Sequence, residues 1–277
     1  MQQQNQSMKT MKLYNKVERI ITELHALGID DDAPLSVDDL TPFDQYHYYG
    51  TEAVDHAATA IGIGPDTKVL EVGSGIGGPA RYLADRSKCH VTALELQPDL
   101  NETAKTLTAR CGLGDRVSHV CGNVLDGGQG SEKYDALVSF LCFLHIPDRA
   151  SLFSRCHEAL RGGGTIFIED FTKLSEPSDA QWEILKEKVL CSYLPGPQDY
   201  QDQLQAAGFT QVVAEDVSAE WARFTRERHD AWCARRERNL ELHGPEITDG
   251  MEDFYKTAAD LYADGVLGGL RIRATRP

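Results

Sequence analysis

Glu71, Gly73, Gly75, Gly77 and Gly78 stand within eight residues, directly after the apolar pair Val69-Leu70. Glycines at that spacing let a chain turn sharply out of a strand. They also bring bare backbone N–H groups up to a ligand at the start of the next helix. Gly73, Gly75 and Gly78 satisfy the G-x-G-x-x-G spacing of dinucleotide sites. Glu71 points elsewhere. A carboxylate two residues ahead of the first glycine repels a pyrophosphate and suits a cationic ligand. A nicotinamide site and a purely structural glycine turn stay open as alternatives. Glu95 follows 22 positions after Gly73, where an acid can accept both hydroxyls of a ribose. Asn123 offers an amide to an adenine amino group, and Val124 an apolar face to the ring. His145, in Phe143-Leu144-His145-Ile146, carries an imidazole with an ordinary pKa of about 6.5, suited to general-base work. The alternative for His145 is a backbone hydrogen bond at a strand end.

These residues need elements to hold them at one edge. From Lys68 onward, strand and helix patterns alternate, the signature of a parallel, doubly wound sheet. Strands are expected at 68–72, 90–95, 117–121, 135–140, 165–169, 209–215 and 270–274. Helices are expected after the glycine turn, over 98–110 and over 148–160, the last ended by Gly162-Gly163-Gly164. In such a sheet the ligand lies outside the carboxyl ends of the strands. Glu71, Glu95, Asn123 and His145 all fall there. Upstream, 9–27 has apolar residues at helical spacing, ended by Gly28. The loop 30–34 precedes an aromatic cluster, Tyr46, His47, Tyr48 and Tyr49, and then a helix over 51–61. Two long insertions, 175–204 and 217–265, follow strands five and six. The second reads as two helices, and both are placed to cover a substrate.

The expected fold is α/β, a Rossmann-like, doubly wound seven-stranded sheet with the last strand antiparallel. Residues 1–8 read as a disordered polar tail and 9–277 as one domain. Within it, 9–65 form an N-terminal cap and 66–174 the cofactor-binding core. Residues 175–265 hold strand six and the helical inserts, and 266–277 the final strand.

The chain has 277 residues, 41% of them hydrophobic, and a formal net charge of −15. That balance argues against a nucleic-acid partner, which needs clustered Lys and Arg. Apolar runs are too short to span a membrane, and the first residues lack a signal-peptide pattern. The seven cysteines include no C-x-x-C pair and no metal-ligand spacing, so reduced thiols, no metal and a cytoplasmic location are expected. A monomer or homodimer with a small-molecule acceptor is the expected state.

Glu71-x-Gly73-x-Gly75-x-Gly77 resembles the first motif of the Rossmann-like S-adenosylmethionine-dependent methyltransferases. From about Tyr46 to Asp170 the chain is similar to the phosphoethanolamine, glycine and sarcosine/dimethylglycine N-methyltransferases. Gly77-Gly78-Pro79-Ala80-Arg81 is also the loop ending of sterol and tocopherol C-methyltransferases. The resemblance implies S-adenosyl-L-methionine as cofactor and S-adenosyl-L-homocysteine as product. It places the cofactor on Glu71, Gly73, Ser74, Gly75, Gly77, Glu95, Leu96, Gln97, Asn123, Val124 and Phe140. It gives His145 a catalytic role; Tyr46 is expected to act beside it at the methyl channel, and Tyr48, Tyr49, Phe143, Phe171 and Tyr193 are expected to line the acceptor site, where aromatic faces favour cationic groups. Two departures argue against a phosphorylated amine. Phe140-Leu141 replaces the Arg-Asp of the phosphoethanolamine enzymes, and their phosphate-gripping Arg falls on Cys191, before Tyr193. The implied activity is methyl transfer to the nitrogen of a small amine or amino acid. Carbon of a prenyl or sterol-like lipid, or a thiol, is the alternative acceptor.

Overall fold

A computed structural model describes residues 18–128, 130–131 and 133–277. The tail at 1–8 and the first part of the helix expected over 9–27 lie outside them. The described part of that helix is α1, Glu18–Ala26, and Gly28 follows it at φ +78°. Helix α2, Val37–Asp44, is additional to the expected elements. Its signal is a capping box, in which the Ser36 hydroxyl accepts the Asp39 N–H and Asp39 accepts back from Ser36. Helix α3 runs Gly50–Ala60.

The sheet core then alternates: β1 Lys68–Val72, α4 Gly78–Ser87, β2 His90–Glu95, α5 Pro98–Arg110, β3 Val117–Cys121, β4 Tyr134–Phe140, α6 Arg149–Ala159 and β5 Leu160–Lys173. Helices α7 Asp179–Lys188 and α8 Pro197–Ala206 form the first insert. After β6, Thr210–Asp216, come α9 Ser218–Ala234 and α10 Arg236–Ala263, and then β7, Leu267–Thr275. The strand order is β3-β2-β1-β4-β5-β7-β6. Strands β1 to β5 pair in parallel, and β7 runs antiparallel to β5 and β6. This is the Rossmann-like, seven-stranded sheet with an antiparallel last strand. The strand order reverses between β1 and β4, so the crevice for a ligand opens at their carboxyl ends.

Strand β5 is longer than the apolar run 165–169. It pairs with β7 from Thr165 to Lys173, so an antiparallel partner, not local pattern, sets its length. The inserts sit on this extension. Trp221 of α9 is fully buried, and a Cβ on Gly269 would lie 2.4 Å from its ring. Only glycine in β7 lets the indole rest on the sheet backbone. The kink in α10 is at Gly244-Pro245, where Gly244 has φ +74° and Pro245 lacks the helical N–H.

The cap is clasped to the second insert. Buried Glu23 of α1 accepts from Arg238 Nη2 at 2.7 Å and from His243 Nε2 at 2.9 Å, both on α10. Among the described residues no helix is long and apolar enough to cross a membrane, and no cluster of His, Cys, Asp and Glu could hold a metal.

Candidate active site

A cleft of about 1040 Å³, measured to its open mouth, lies at the carboxyl ends of β1, β2, β3 and β4. Its walls include Glu71, Gly73, Ser74, Gly75, Glu95, Leu96, Gln97, Asn123, Val124 and Phe140, together with Tyr46 and His145. Gly77 is set back from the wall. At φ +78° it ends the turn and starts α4, and a Cβ there would lie 2.6 Å from the His119 ring.

The turn is built for close approach. Gly73 and Gly75 have φ +79° and +53°, the left-handed region that favours glycine. A Cβ on Gly73 would fall 2.2 Å from Cys142 Sγ, so β1 and the end of β4 meet there backbone against side chain. Glu95 fixes the opposite rim. Its Oε2 accepts the Gly75 N–H and its Oε1 the Gln97 N–H, each at 2.8 Å. Each carboxylate oxygen has a second lone pair, so Glu95 can accept two ligand hydroxyls as well. Asn123 Oδ1 accepts the Leu125 N–H at 3.0 Å, which caps the short turn Val124–Asp126 and fixes the amide plane.

The cap reaches this turn through a buried ion pair missing from the expected site. Arg81 Nη2 donates to Asp44 Oδ2 at 2.9 Å, with both side chains fully buried. A Cβ on Gly78 would stand 2.3 Å from Asp44 O, so the end of α2 packs directly on the start of α4. That contact brings Tyr46 and His47 over the glycine turn. His47 donates from Nε2 to Gly50 O at 2.9 Å and stacks on Phe140 with centroids 4.8 Å apart. Burial lowers its pKa to about 4, so it is neutral. Burial raises the Tyr46 phenol to about 12, so it keeps its proton and serves as a donor.

Glu71 is 2% exposed, and its Oε2 and the nearby Ser74 Oγ and Gln97 Oε1 have no partner. Burial raises the Glu71 pKa to about 8, with Arg81 opposing and Glu95 and Asp44 adding to the rise. Asp44 and Glu71 thus share one guanidinium, with Glu95 close enough to add to the rise at Glu71. An acid held protonated in the folded state but ionised in the unfolded chain makes stability fall as pH rises between the two pKa values. Thermal melts of Glu71→Gln from pH 5 to 8 are therefore expected to lose most of that decline, on the order of 4 kcal/mol at most. A parallel decline in both proteins would remove Glu71 as its source.

His145 ends the short 3-10 turn Phe143–His145. Its Nδ1 lies 2.8 Å from Leu190 O. A carbonyl only accepts, so Nδ1 carries the proton and the ring lone pair is on Nε2. Burial lowers its pKa, against the opposing Leu190 bond, which keeps the ring neutral. Both Leu190 and the cleft residue Leu141 adopt left-handed φ, +56° and +50°, at about 1–2 kcal/mol each. Such strain clusters at functional sites.

The remaining expected acceptor residues lie away from the cleft wall. Phe143 packs inward on Phe153. Tyr48 and Phe171 belong to the core beneath the inserts, with Trp221 and Tyr262. Tyr49 takes φ +57° and its hydroxyl donates to Glu220 O. Tyr193 accepts from Gln203 Nε2. In their place Leu141, Cys142 and Ile146 line the cleft beside Phe140.

Residues 69–164 match the family model described as "Methyltransferase domain". The chain is 29% identical to a sarcosine/dimethylglycine N-methyltransferase of Halorhodospira halochloris, over 65% of this chain and 64% of that protein. It is 27% identical to phosphoethanolamine N-methyltransferase 1 of Arabidopsis thaliana, over 82% of this chain and 43% of that one. The chain thus spans less than two thirds of the length of these curated relatives. Phosphoethanolamine N-methyltransferase 2 of Haemonchus contortus, solved with phosphomonomethylethanolamine and S-adenosylhomocysteine, shares the fold. Its TM-score is 0.79 at 20% identity, over 84% of this chain and 55% of that chain. Residues 69–164 thus match a methyltransferase domain, within a Rossmann-like fold and in a chain that is similar to the sarcosine/dimethylglycine and phosphoethanolamine N-methyltransferases.

Proposed function

We propose that this chain uses S-adenosyl-L-methionine to methylate a small-molecule acceptor, the nitrogen of a small amine or amino acid. The observation that carries the reading is the acidic lining of the cleft. Asp44, Glu71 and Glu95 line it, and among the described residues no Lys or Arg does; Glu71, protonated by burial, ionises beside a cationic group. That suits a cationic adenosyl compound and opposes a phosphate. The buried oxygens of Glu71, Ser74 and Gln97 that lack protein partners fit a ligand with an ammonium and hydroxyls. When bound, the cofactor supplies a methyl group activated by its sulfonium.

The chain's own residues orient and deprotonate. Glu95 holds the ribose hydroxyls, and Asn123 and Val124 hold the base. Gly73 and Gly75 admit the ligand to the backbone. Orientation of this kind is worth roughly 7–11 kcal/mol in favourable cases. His145 takes the acceptor's proton on Nε2, directly or through water, while Leu190 O holds the other ring nitrogen. Tyr46, His47 and Phe140 give the methyl path aromatic faces, which favour cationic groups.

Calorimetry with S-adenosyl-L-methionine and its demethylated product tests the cofactor. Glu95→Ala is expected to weaken binding at least tenfold, because it removes two hydroxyl acceptors and the anchor of Gly75. Unchanged affinity would overturn the ribose assignment. A screen of small amines, thiols and prenyl compounds, read out as demethylated cofactor, tests the acceptor. The second reading, carbon or sulfur as acceptor, draws on the apolar wall of Phe140, Leu141 and Ile146. An amine gives a rate that rises with pH, whereas a flat profile on a carbon acceptor would favour the second reading.

A further inference from the structure

Behind the His145 turn lies a second buried ion pair that the proposed chemistry leaves unused. Asp170, fully buried near the end of β5, sends its two oxygens in different directions. Oδ1 accepts the Leu144 N–H at 3.2 Å. Oδ2 accepts the Tyr200 hydroxyl at 3.0 Å and Arg149 Nη2 at 3.4 Å. Arg149 completes the loop by donating from Nη1 to Phe143 O at 2.8 Å. Two consecutive residues of the turn that carries His145 are therefore held by one carboxylate and one guanidinium. The guanidinium is itself fixed by rings, its carbon standing 4.6 Å from the Tyr200 centroid and 5.4 Å from that of Phe153.

A buried ion pair is a poor way to gain stability, since apolar packing of equal volume often does as well. What it does supply is geometry. An arginine fork and a carboxylate with three partners admit one arrangement. The first insert joins in. Tyr200 belongs to α8, Leu190 O holds His145 Nδ1, and the Ser192 N–H donates to Leu144 O at 2.9 Å.

We propose that Asp170, Arg149 and Tyr200 are positioning residues: they lock the Phe143–His145 turn so that His145 meets Leu190 O through Nδ1 and keeps its lone pair on Nε2. The inference rests on His145 acting as the base. It makes the first insert, through Tyr200, part of the machinery that sets that base.

Tyr200→Phe is the sparing test, because it removes one hydroxyl and keeps the ring over Arg149. Asp170 then loses its shorter Oδ2 partner, swings to Arg149 and releases Leu144. The expected result is a five- to twentyfold fall in kcat, with the acceptor KM and the cofactor Kd within twofold. Nitrogen NMR of the full chain labelled in histidine should show His145 passing from the Nδ1–H tautomer to a mixture. Arg149→Lys, which keeps the charge but loses the fork, should fall at least as far. A variant with a lower Tm, unchanged kcat well below that Tm and an intact tautomer would overturn the proposal, leaving the cluster as packing only. The NMR readout needs no turnover. If the parent chain transfers no methyl group, the functional reading fails, and the tautomer in Tyr200→Phe still decides whether the cluster positions His145.

Discussion

Alanine at His145 is expected to lower turnover by about 10²–10³-fold, the usual worth of a placed general base, while cofactor affinity moves by less than about threefold. The separation follows from where the ring sits. His145 shares the cleft with the glycine turn but comes from the far end of β4, and its anchor is a carbonyl of the insert. Glu95 and the turn owe nothing to it. An amine acceptor arrives protonated near neutrality and has no lone pair until a base takes its proton. Because burial lowers the His145 pKa, the neutral ring persists to lower pH than in an ordinary histidine. The acid limb of the rate profile for this group should therefore fall below the ordinary histidine range. Stability follows the same sign. The unfolded chain binds this proton more readily than the folded one, so the contribution is complete above pH 6.5 and is lost as pH falls. Equal losses in turnover and cofactor affinity, or no loss in either, would remove His145 as the base.

Gly73→Ala should be the more damaging change. The left-handed φ of +79° alone costs an alanine about 1–2 kcal/mol. The new methyl would also sit 2.2 Å from Cys142 Sγ and 2.5 Å from Cys142 Cβ, inside any allowed contact, so β1 and β4 cannot keep their spacing at the cleft floor. Binding of S-adenosyl-L-methionine should weaken by more than 100-fold in calorimetry. The cause can be isolated. Cys142→Gly removes the clashing atoms and leaves the φ cost, so the double variant Gly73→Ala/Cys142→Gly should regain most of the affinity. A double variant as poor as Gly73→Ala would assign the loss to backbone conformation instead.

Much of the proposed cofactor side of the cleft is legible in the chain itself. Strands β1, β2 and β3 begin and end where the apolar runs do, and Glu71, Glu95 and Asn123 stand at their carboxyl ends because strand ends are local features. The acceptor side is not legible in that way. Tyr46, Tyr48 and Tyr49 are equivalent by composition, and only the left-handed backbone at Tyr49 and the packing of Trp221 send two of the rings under the inserts while Tyr46 faces the cleft. Asp44 and Cys142 join the wall through partners 37 and 69 positions away in sequence, Arg81 and Gly73, a juxtaposition made by the sheet and marked by no motif. Strand β5 has the same history, since β7 lengthens it.

The Glu23 clasp carries a consequence for how such a fold can vary. It ties α1 to residues 215 and 220 positions further along, closing a non-covalent ring around the cleft. The entropy of closing a flexible ring grows only with the logarithm of its length, about 0.6 kcal/mol for each doubling. Lengthening or shortening either insert by tens of residues therefore changes the free energy of closure by a small fraction of that amount. The covering of the cleft can be re-cut to the size of a different acceptor while the strap that holds its two sides together keeps nearly the same strength.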